Sequence, residues 1–273
     1  MAQATPPPAD VTWAMEKFGG VPAAVVHPGV GPGPVADTAA TAAPIVHLHG
    51  GGYRLGAAAG WVGFAHRLAT ATGRRVVVPE YRLAPEHPFP AALRDAAAVW
   101  RAVTAGAGAG AAPVLTGDSA GGGLAVALAL ALRDGTVAAP LPDRLALFSP
   151  LLGLRADADS YRTNAERDQL WSRTSALEAA DAYLQGLPAD STPLASPLLA
   201  DPAGLPPVLL FAGTGETLLD DATAFAARAA RAQVRVEAHY VPDVPHVWPV
   251  LLDGDPRSAA ALSRVAAFVG RRA

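Results

Sequence analysis

A serine between glycines gives the strongest chemical signal in this chain. Residues 117–121 read G-D-S-A-G and fit the pattern G-x-S-x-G, with Ser119 at the centre. A short apolar run precedes the motif and a long apolar run follows it, which predicts a strand, a sharp turn and a helix. Such a turn strains the serine backbone and exposes the hydroxyl. A bare motif of this kind also occurs in ordinary glycine-rich turns, so it is the flanking strand and helix that favour a nucleophile.

A serine hydroxyl attacks a carbonyl only when a base takes its proton and a third group orients that base. In chains with this turn, the acid and then the histidine follow the serine along the sequence. Only His239 and His246 come after Ser119. His239 lies inside a strand-like pattern, which favours a structural role, whereas His246 lies in a proline-containing loop just after that strand. His246 is therefore the predicted base.

The acid is expected between Ser119 and His246, near the carboxyl end of a strand. Glu216 closely follows a predicted strand and is the best-placed carboxylate. Asp220 and Asp221 come about one helical turn later, where acidic side chains also stabilise a helix N-terminus. Glu216 is the predicted acid, and Asp220 stays open as the alternative.

Donors for the oxyanion are expected from a bare stretch of backbone. Residues 49–53 read H-G-G-G-Y directly after a predicted strand, and their main chain can approach an acyl group closely. The N–H of Ala120, next to the nucleophile, is the predicted further donor. His47 and His49 share one face of that strand, but no carboxylate cluster accompanies them, so a metal site is not predicted.

Strand-like and helix-like runs alternate from about residue 44 to the end of the chain. This alternation predicts an α/β protein with a mostly parallel central sheet and helices on both faces. The predicted strands are 45–48, 75–78, 114–116, 145–148, 208–212 and 234–241. The first predicted helix ends at about residue 72, and further helices are predicted over 93–103, 122–132, 220–232 and 258–269.

Two segments interrupt this alternation, residues 1–20 before the first predicted strand and residues 155–195 in the second half. Insertions of this kind commonly cross the mouth of a site, so both are predicted to form a small cap on a single domain over residues 1–273. The strand over 234–241 is the last one and is expected at a sheet edge. Pairing of two such edges predicts a homodimer.

The bulk composition excludes several classes of function. The chain has 273 residues, 51% of them hydrophobic and 16% charged, which suits a large apolar core. A net charge of −3 gives no support for a nucleic-acid or anionic membrane partner. There is no cysteine, so disulfides and thiolate catalysis are excluded. The sequence shows neither the pattern of a secretory signal nor an apolar run long enough to span a membrane, so a cytoplasmic location is predicted.

Several of these motifs together resemble one protein family. The matching runs are H-G-G-G over 49–52, Y-R-L-A-P-E-H-P-F-P-A-A over 81–92, G-D-S-A-G-G over 117–122 and P-H-V-W over 245–248. In this order they resemble the hormone-sensitive-lipase-like branch of the α/β-hydrolases, the microbial esterases often called family IV. The resemblance implies an α/β-hydrolase fold, and it extends from about residue 44 to residue 250.

The resemblance also implies a role for particular residues. It makes Ser119 the nucleophile and His246 the base, and it assigns the oxyanion hole to the N–H groups of Gly51, Gly52 and Ala120. No metal or organic cofactor is expected. Further residues beside the motifs are expected to contact the substrate, namely Tyr53, Asp118, Val247 and Trp248.

The acid position departs from the family pattern, in which an aspartate begins the motif D-P-L-x-D. Residues 216–220 read E-T-L-L-D, so Glu216 takes the place of the aspartate with a side chain one methylene longer. This exchange leaves the expected chemistry intact.

The predicted activity is hydrolysis of short- to medium-chain carboxylic esters through an acyl-enzyme. A modest apolar pocket under a small cap favours such esters over long triglycerides. The motifs do not set the substrate, so a lactone hydrolase, an amide hydrolase or an acyl transferase with the same serine stays open. A non-catalytic small-molecule-binding protein on this fold is less favoured, because Ser119 and His246 are both present.

Overall fold

The computed structural model of the protein describes residues 11–28, 43–106 and 112–270. Its strands are β1 (Trp13–Phe18), β2 (Val21–Val26), β3 (Ile45–Leu48), β4 (Val76–Pro79), β5 (Val114–Asp118), β6 (Leu145–Phe148), β7 (Val208–Gly213) and β8 (Val236–Val241). Its helices are α1 (Val62–Thr72), α2 (Ala91–Gly106), α3 (Ala120–Arg133), α4 (Ser160–Thr163), α5 (Arg173–Leu184), α6 (Leu219–Arg231), α7 (Trp248–Leu251) and α8 (Pro256–Gly270).

All of these strands join one sheet in the spatial order β1-β2-β4-β3-β5-β6-β7-β8. The pairs from β4 through β3 to β8 are parallel, whereas β2 pairs antiparallel with both β1 and β4. The mostly parallel sheet predicted from the alternating pattern is therefore confirmed. Since parallel strands end at the same edge, the loops after β3, β5, β6, β7 and β8 meet there.

The core lies on both faces of this sheet. Ile45 packs in one apolar cluster with α1 and α8, and its neighbour Val46 packs in the other cluster with α2 and α3. Successive side chains of a strand point to opposite faces, so a continuous apolar run such as β3 is what a sheet covered on both sides requires. Helix α3 is buried from Ala120 to Leu132, as expected for a central helix.

The start of the chain differs from the prediction. We expected residues 1–20 to precede the first strand and to form part of a cap, but β1 and β2 form a hairpin at the edge of the sheet. The signal lies at Gly19 and Gly20, which both have positive φ values, 58° and 88°. A two-residue Gly-Gly loop is typical of a tight hairpin, so this cap assignment is wrong for the described residues 11–20.

Residues 155–195, which we call the cap segment, connect β6 to β7 and contain α4 and α5. Trp171 and Ala179 of this segment lie against Gly52 in the loop after β3. The cap segment thus contacts the edge of the sheet at which the predicted site residues lie. In the described part of the chain, no helix is both long and apolar enough to cross a lipid bilayer.

Candidate active site

Ser119 occupies the sharp turn between β5 and α3. Its backbone angles are φ 50° and ψ −122°, a conformation that non-glycine residues rarely adopt. The Ser119 N–H donates to the carbonyl of Phe148 at 2.9 Å, which fixes the turn to the neighbouring strand. A Cβ at Gly117 would lie 2.2 Å from the Gly121 carbonyl oxygen, and one at Gly121 would lie 1.9 Å from that of Leu48. The motif needs its glycines because the strand, the turn and the helix approach this closely.

The structure brings Ser119, His246 and Glu216 into one hydrogen-bonded series. The Ser119 Oγ lies 3.0 Å from Nε2 of His246, and Nδ1 of His246 lies 2.8 Å from Oε2 of Glu216. All three side chains are buried. Nδ1–H therefore donates to the carboxylate, and the unprotonated Nε2 is left to accept the serine proton.

Glu216 has a second partner that the sequence analysis missed. The Ser149 hydroxyl donates to Oε1 of Glu216 at 2.7 Å and accepts from the Val247 N–H at 3.1 Å. Ser149 therefore joins the acid to the loop that carries His246. The signal was its position, since Ser149 follows β6 directly at the edge of the sheet where the other site residues lie.

The alternative acid, Asp220, does not contact His246. Its Oδ2 accepts from the Ser160 N–H at 2.7 Å, and its own N–H donates to the Ser160 hydroxyl at 3.2 Å. Asp221 accepts from the Gly153 N–H, and burial raises the pKa of its carboxyl to about 7. Both aspartates lie in the first turn of α6, and the Asp220 carboxylate faces the cap segment.

The surroundings of His246 raise the pKa of its imidazole above the ordinary value. Burial alone would lower the pKa of the imidazole, but the hydrogen bond to Glu216 and the charge of that carboxylate oppose burial. The negative charges of Asp168 and Asp118 act in the same direction, so the net shift of the His246 pKa is upward. An imidazolium that forms when Ser119 loses its proton is thereby stabilised.

The glycine loop presents free backbone donors beside Ser119. Gly51 and Gly52 have φ values of 115° and 61°, and a Cβ at Gly51 would lie 1.9 Å from the carbonyl oxygen of Leu55. Within the described residues, the N–H groups of Gly51, Gly52 and Ala120 have no hydrogen-bond acceptor. These are the three donors that the resemblance assigns to an oxyanion hole.

Asp118 holds the glycine loop through its carboxylate. Its Oδ1 accepts from the Gly50 N–H at 3.0 Å and from the Trp61 indole N–H at 2.8 Å, and His47 lies 3.1 Å away. The side chain is almost fully buried. The carboxylate of Asp118 thus fixes the glycine loop to the turn after β5, and a contact between Asp118 and the substrate stays a prediction.

The other three expected substrate contacts are also buried in the protein. Tyr53 stacks on Tyr183 with the ring centroids 3.9 Å apart, and Trp248 packs edge-on against Phe211. The backbone of Val247 bonds to Ser149, as described above, and its side chain joins the same apolar cluster as Trp248. All three side chains support the loops of the site from the core, and their contact with the substrate stays a prediction.

Three other histidines considered in the sequence analysis have structural surroundings. His47 lies 2.9 Å from the Thr116 hydroxyl, and His49 stacks on Tyr81 with the ring centroids 4.2 Å apart. Burial lowers the pKa of His49 to about 4, so its imidazole is neutral at physiological pH. His239 stacks on Phe211 from β8. In the described ranges, no three histidine or carboxylate side chains converge as metal ligands would.

Trp171 of the cap segment is a second residue that the sequence analysis missed. A Cβ at Gly52 would lie 3.0 Å from Cη2 of Trp171, and the Trp171 ring lies 6.3 Å from the His246 ring, measured between centroids. The indole therefore lies beside both the glycine loop and His246. No motif marks it, but it is the sole tryptophan in the cap segment.

A serine, a histidine and a carboxylate in series, beside free N–H groups at the carboxyl edge of a parallel sheet, are typical of serine hydrolases with the α/β-hydrolase fold. The family model described as the alpha/beta hydrolase fold matches residues 45–250. This chain belongs to that family.

Named relatives and solved structures support the same family. An acetyl-hydrolase from Streptomyces hygroscopicus is 38% identical over 214 residues, which are 77% of this chain and 71% of that protein. An esterase from Acinetobacter venetianus is 33% identical over 227 residues, 82% of this chain and 73% of that protein. A crystal structure of an esterase from the bacterial hormone-sensitive lipase family is 37% identical, with a TM-score of 0.88 over 97% of this chain and 86% of that one. The chain belongs to this esterase group, which confirms the resemblance inferred from its motifs.

Proposed function

We propose that this carboxylic ester hydrolase cleaves its substrate through an acyl-enzyme formed on Ser119. His246 takes the proton from the hydroxyl as Oγ bonds to the ester carbonyl carbon. The resulting oxyanion accepts from the N–H groups of Gly51, Gly52 and Ala120. The C–O bond to the alcohol then breaks, and His246 returns its proton to the departing alcohol oxygen.

The second half of the reaction repeats these steps with water. His246 takes a proton from the water, the water oxygen bonds to the acyl carbon, and the oxyanion uses the same three donors. The bond to Ser119 then breaks, Oγ regains a proton from His246, and the carboxylic acid leaves. Glu216 keeps the imidazole oriented and stabilises its charge in both halves.

The single observation that carries this proposal is the continuous contact from Ser119 Oγ through His246 to Glu216. The direct test is treatment with an aryl phosphonate ester, which mimics the tetrahedral species and is attacked by an activated serine. We expect one adduct, and peptide mass spectrometry should locate it at Ser119. An adduct at a different residue, with Ser119 unmodified, would contradict the assignment.

We propose a preference for short- to medium-chain acyl groups. Trp171 and Ala179 fill the space beside Gly52, where a Cβ would lie 3.0 Å from the indole and 3.5 Å from the alanine methyl group. An acyl group whose oxygen is held by this loop therefore meets the cap segment after a short distance. The similarity to an acetyl-hydrolase supports the same size class.

A p-nitrophenyl ester series from acetate to dodecanoate tests this preference. We expect kcat/KM of the wild type to be highest at short or medium chains, and Trp171→Ala to move the optimum longer by about two carbons or more, because removing the indole opens space. Leu170→Ala is the matched control, since the neighbouring Leu170 is exposed. A wild-type optimum at dodecanoate, or an unchanged optimum in Trp171→Ala, would overturn the proposal.

Two further assignments stay predictions. Within the described residues β8 pairs with β7 alone, so its outer edge is free to pair with the same edge of a second copy in the predicted homodimer. A cytoplasmic location rests on composition alone.

A further inference from the structure

The peptide group that joins Glu216 to Thr217 is held at both ends by the cap segment. Asn164 Nδ2 donates to the Glu216 carbonyl at 2.8 Å, and the Thr217 N–H donates to Oδ2 of Asp168 at 2.9 Å. The two side chains are one helical turn apart, because the Asp168 N–H bonds to the Asn164 carbonyl at 3.0 Å. One turn of chain therefore satisfies both polar ends of a single peptide group. We call Asn164 and Asp168 the peptide clamp.

Two more hydrogen bonds extend the peptide clamp along the same loop. Asn164 Nδ2 also lies 3.2 Å from the Thr214 carbonyl oxygen, and the Thr217 hydroxyl donates to Asp168 Oδ2 at 3.1 Å. Asn164, Asp168 and Thr217 are all buried. Removing one partner would leave buried donors or acceptors unpaired, which is costly away from water. The loop that carries Glu216 is thus fixed by its backbone from outside.

The other oxygen of Asp168 fixes the position of Trp171. Oδ1 accepts from the N–H groups of Leu170 and Trp171 at 3.1 and 3.0 Å. One carboxylate therefore sets both the loop of Glu216 and the turn that brings the indole beside Gly52. A displacement of Asp168 would move both sides of the site together.

We propose that Asn164 and Asp168 are positioning residues that hold Glu216 in reach of His246. The inference rests on the proposed role of Glu216 as the acid. Neither residue contacts Ser119 in the structure, so the peptide clamp acts through the backbone of Glu216. A carboxylate displaced by a fraction of an ångström would orient the imidazole less well in the transition state, which lowers kcat more than it raises KM.

The negative charge of Asp168 allows a test that a residue supporting only the fold would not pass, namely a shift of the pH profile. The charged groups that act on His246 are Glu216 after β7, Asp168 of the cap segment and Asp118 at the end of β5, and each raises the His246 pKa. The base is active when unprotonated, so kcat/KM rises with pH through the His246 pKa. In the wild type this rise should be centred above the ordinary value of about 6.5. Removal of the Asp168 charge should shift this rise of kcat/KM to lower pH.

Asp168→Asn tests the proposal. An asparagine at this position keeps one acceptor oxygen. Its NH₂ group replaces the other carboxylate oxygen and would face N–H donors without accepting from them. We expect kcat for p-nitrophenyl acetate to fall by about 10-fold to 100-fold with KM within about twofold, since a small misplacement of a catalytic group has effects of this size. We also expect the acid limb of kcat/KM to shift to lower pH. Asp159→Asn is the matched control, because Asp159 lies on the same segment, is exposed and pairs with Arg162.

A second variant keeps the proposal testable if Asp168→Asn does not fold. Asn164→Ala removes the other half of the peptide clamp without changing any charge, and it should lower kcat with KM retained. Circular dichroism and thermal melting establish that each variant is folded. The proposal is overturned if folded Asp168→Asn and Asn164→Ala both keep the wild-type kcat. It is also overturned if Asp168→Asn loses activity while the acid limb stays in place.

The phosphonate reaction separates this proposal from the proposed function. If Ser119 is labelled in the wild type and more slowly in Asp168→Asn, both proposals are supported. If Ser119 is labelled equally fast in both proteins, the peptide clamp fails and the triad stands. If the wild type is not labelled at Ser119, the triad itself fails.

Discussion

Alanine at Ser119 or at His246 is expected to lower kcat for p-nitrophenyl acetate by about 10³-fold or more, because the members of a triad act as a unit. Ser119→Ala removes the atom that forms the acyl bond, and His246→Ala removes the group that takes its proton. KM should change much less, since neither change removes the free N–H groups of the glycine loop. Steady-state kinetics with highly purified protein measures both parameters.

Matched controls make this result specific to the site. Ser263→Ala removes an exposed hydroxyl on α8 that donates only to its own helix, and His87→Ala removes an exposed imidazole. Both should keep the wild-type kcat. The double variant Ser119→Ala with His246→Ala should be little worse than either single change, because the effects of a cooperating pair do not add. Near-normal turnover by folded Ser119→Ala would rule out serine catalysis.

Local sequence was enough to predict Ser119 and His246 as nucleophile and base, and the structure places the two side chains within hydrogen-bond distance. The glycines around Ser119 are required by contacts under 2.5 Å that any Cβ would make, so the turn leaves a readable pattern. His246 could be found because it follows a strand end and few histidines compete. Glu216 was preferred over Asp220 from its position after β7. In the structure it is Glu216 that lies 2.8 Å from His246.

The partners that hold these residues could not be found in this way. Ser149 and Glu216 are 67 positions apart in the chain, and Asn164 reaches Glu216 across 52 positions. Such contacts depend on how the cap segment packs on the sheet, which no local pattern encodes. The same limit applies to the substrate contacts predicted at Asp118 and Trp248, because the place of a residue beside a motif does not set the direction of its side chain.

The hairpin of β1 and β2 was missed for a different reason. Strand β1 is exposed along nearly its whole length, so it lacks a buried apolar run, and the buried run of β2 was not recognised as a strand. Its local signal was the turn at Gly19 and Gly20. Turn chemistry was therefore more informative there than hydrophobicity.

Glu216→Ala is expected to lower kcat by about 10³-fold to 10⁴-fold, in the range found when the acid of a serine triad is removed. Asp220→Ala should keep kcat within about tenfold, because Asp220 bonds to the Ser160 backbone in the cap segment and does not contact His246. Its effect should be a lower melting temperature, since the buried Ser160 N–H loses its acceptor. Kinetics and thermal melting of both variants, measured side by side, distinguish the two carboxylates.

The pH profile gives a second and independent distinction between these carboxylates. With Glu216 removed, the hydrogen bond and the charge that raise the His246 pKa are lost, and burial acts to lower it. The residual activity of Glu216→Ala should therefore rise at lower pH than that of the wild type. In Asp220→Ala the rise should stay in place, because Asp220 is not among the charges that act on His246. A larger loss of kcat in Asp220→Ala, together with a shift of its acid limb, would make Asp220 the acid and would remove the geometric basis of the peptide clamp as well.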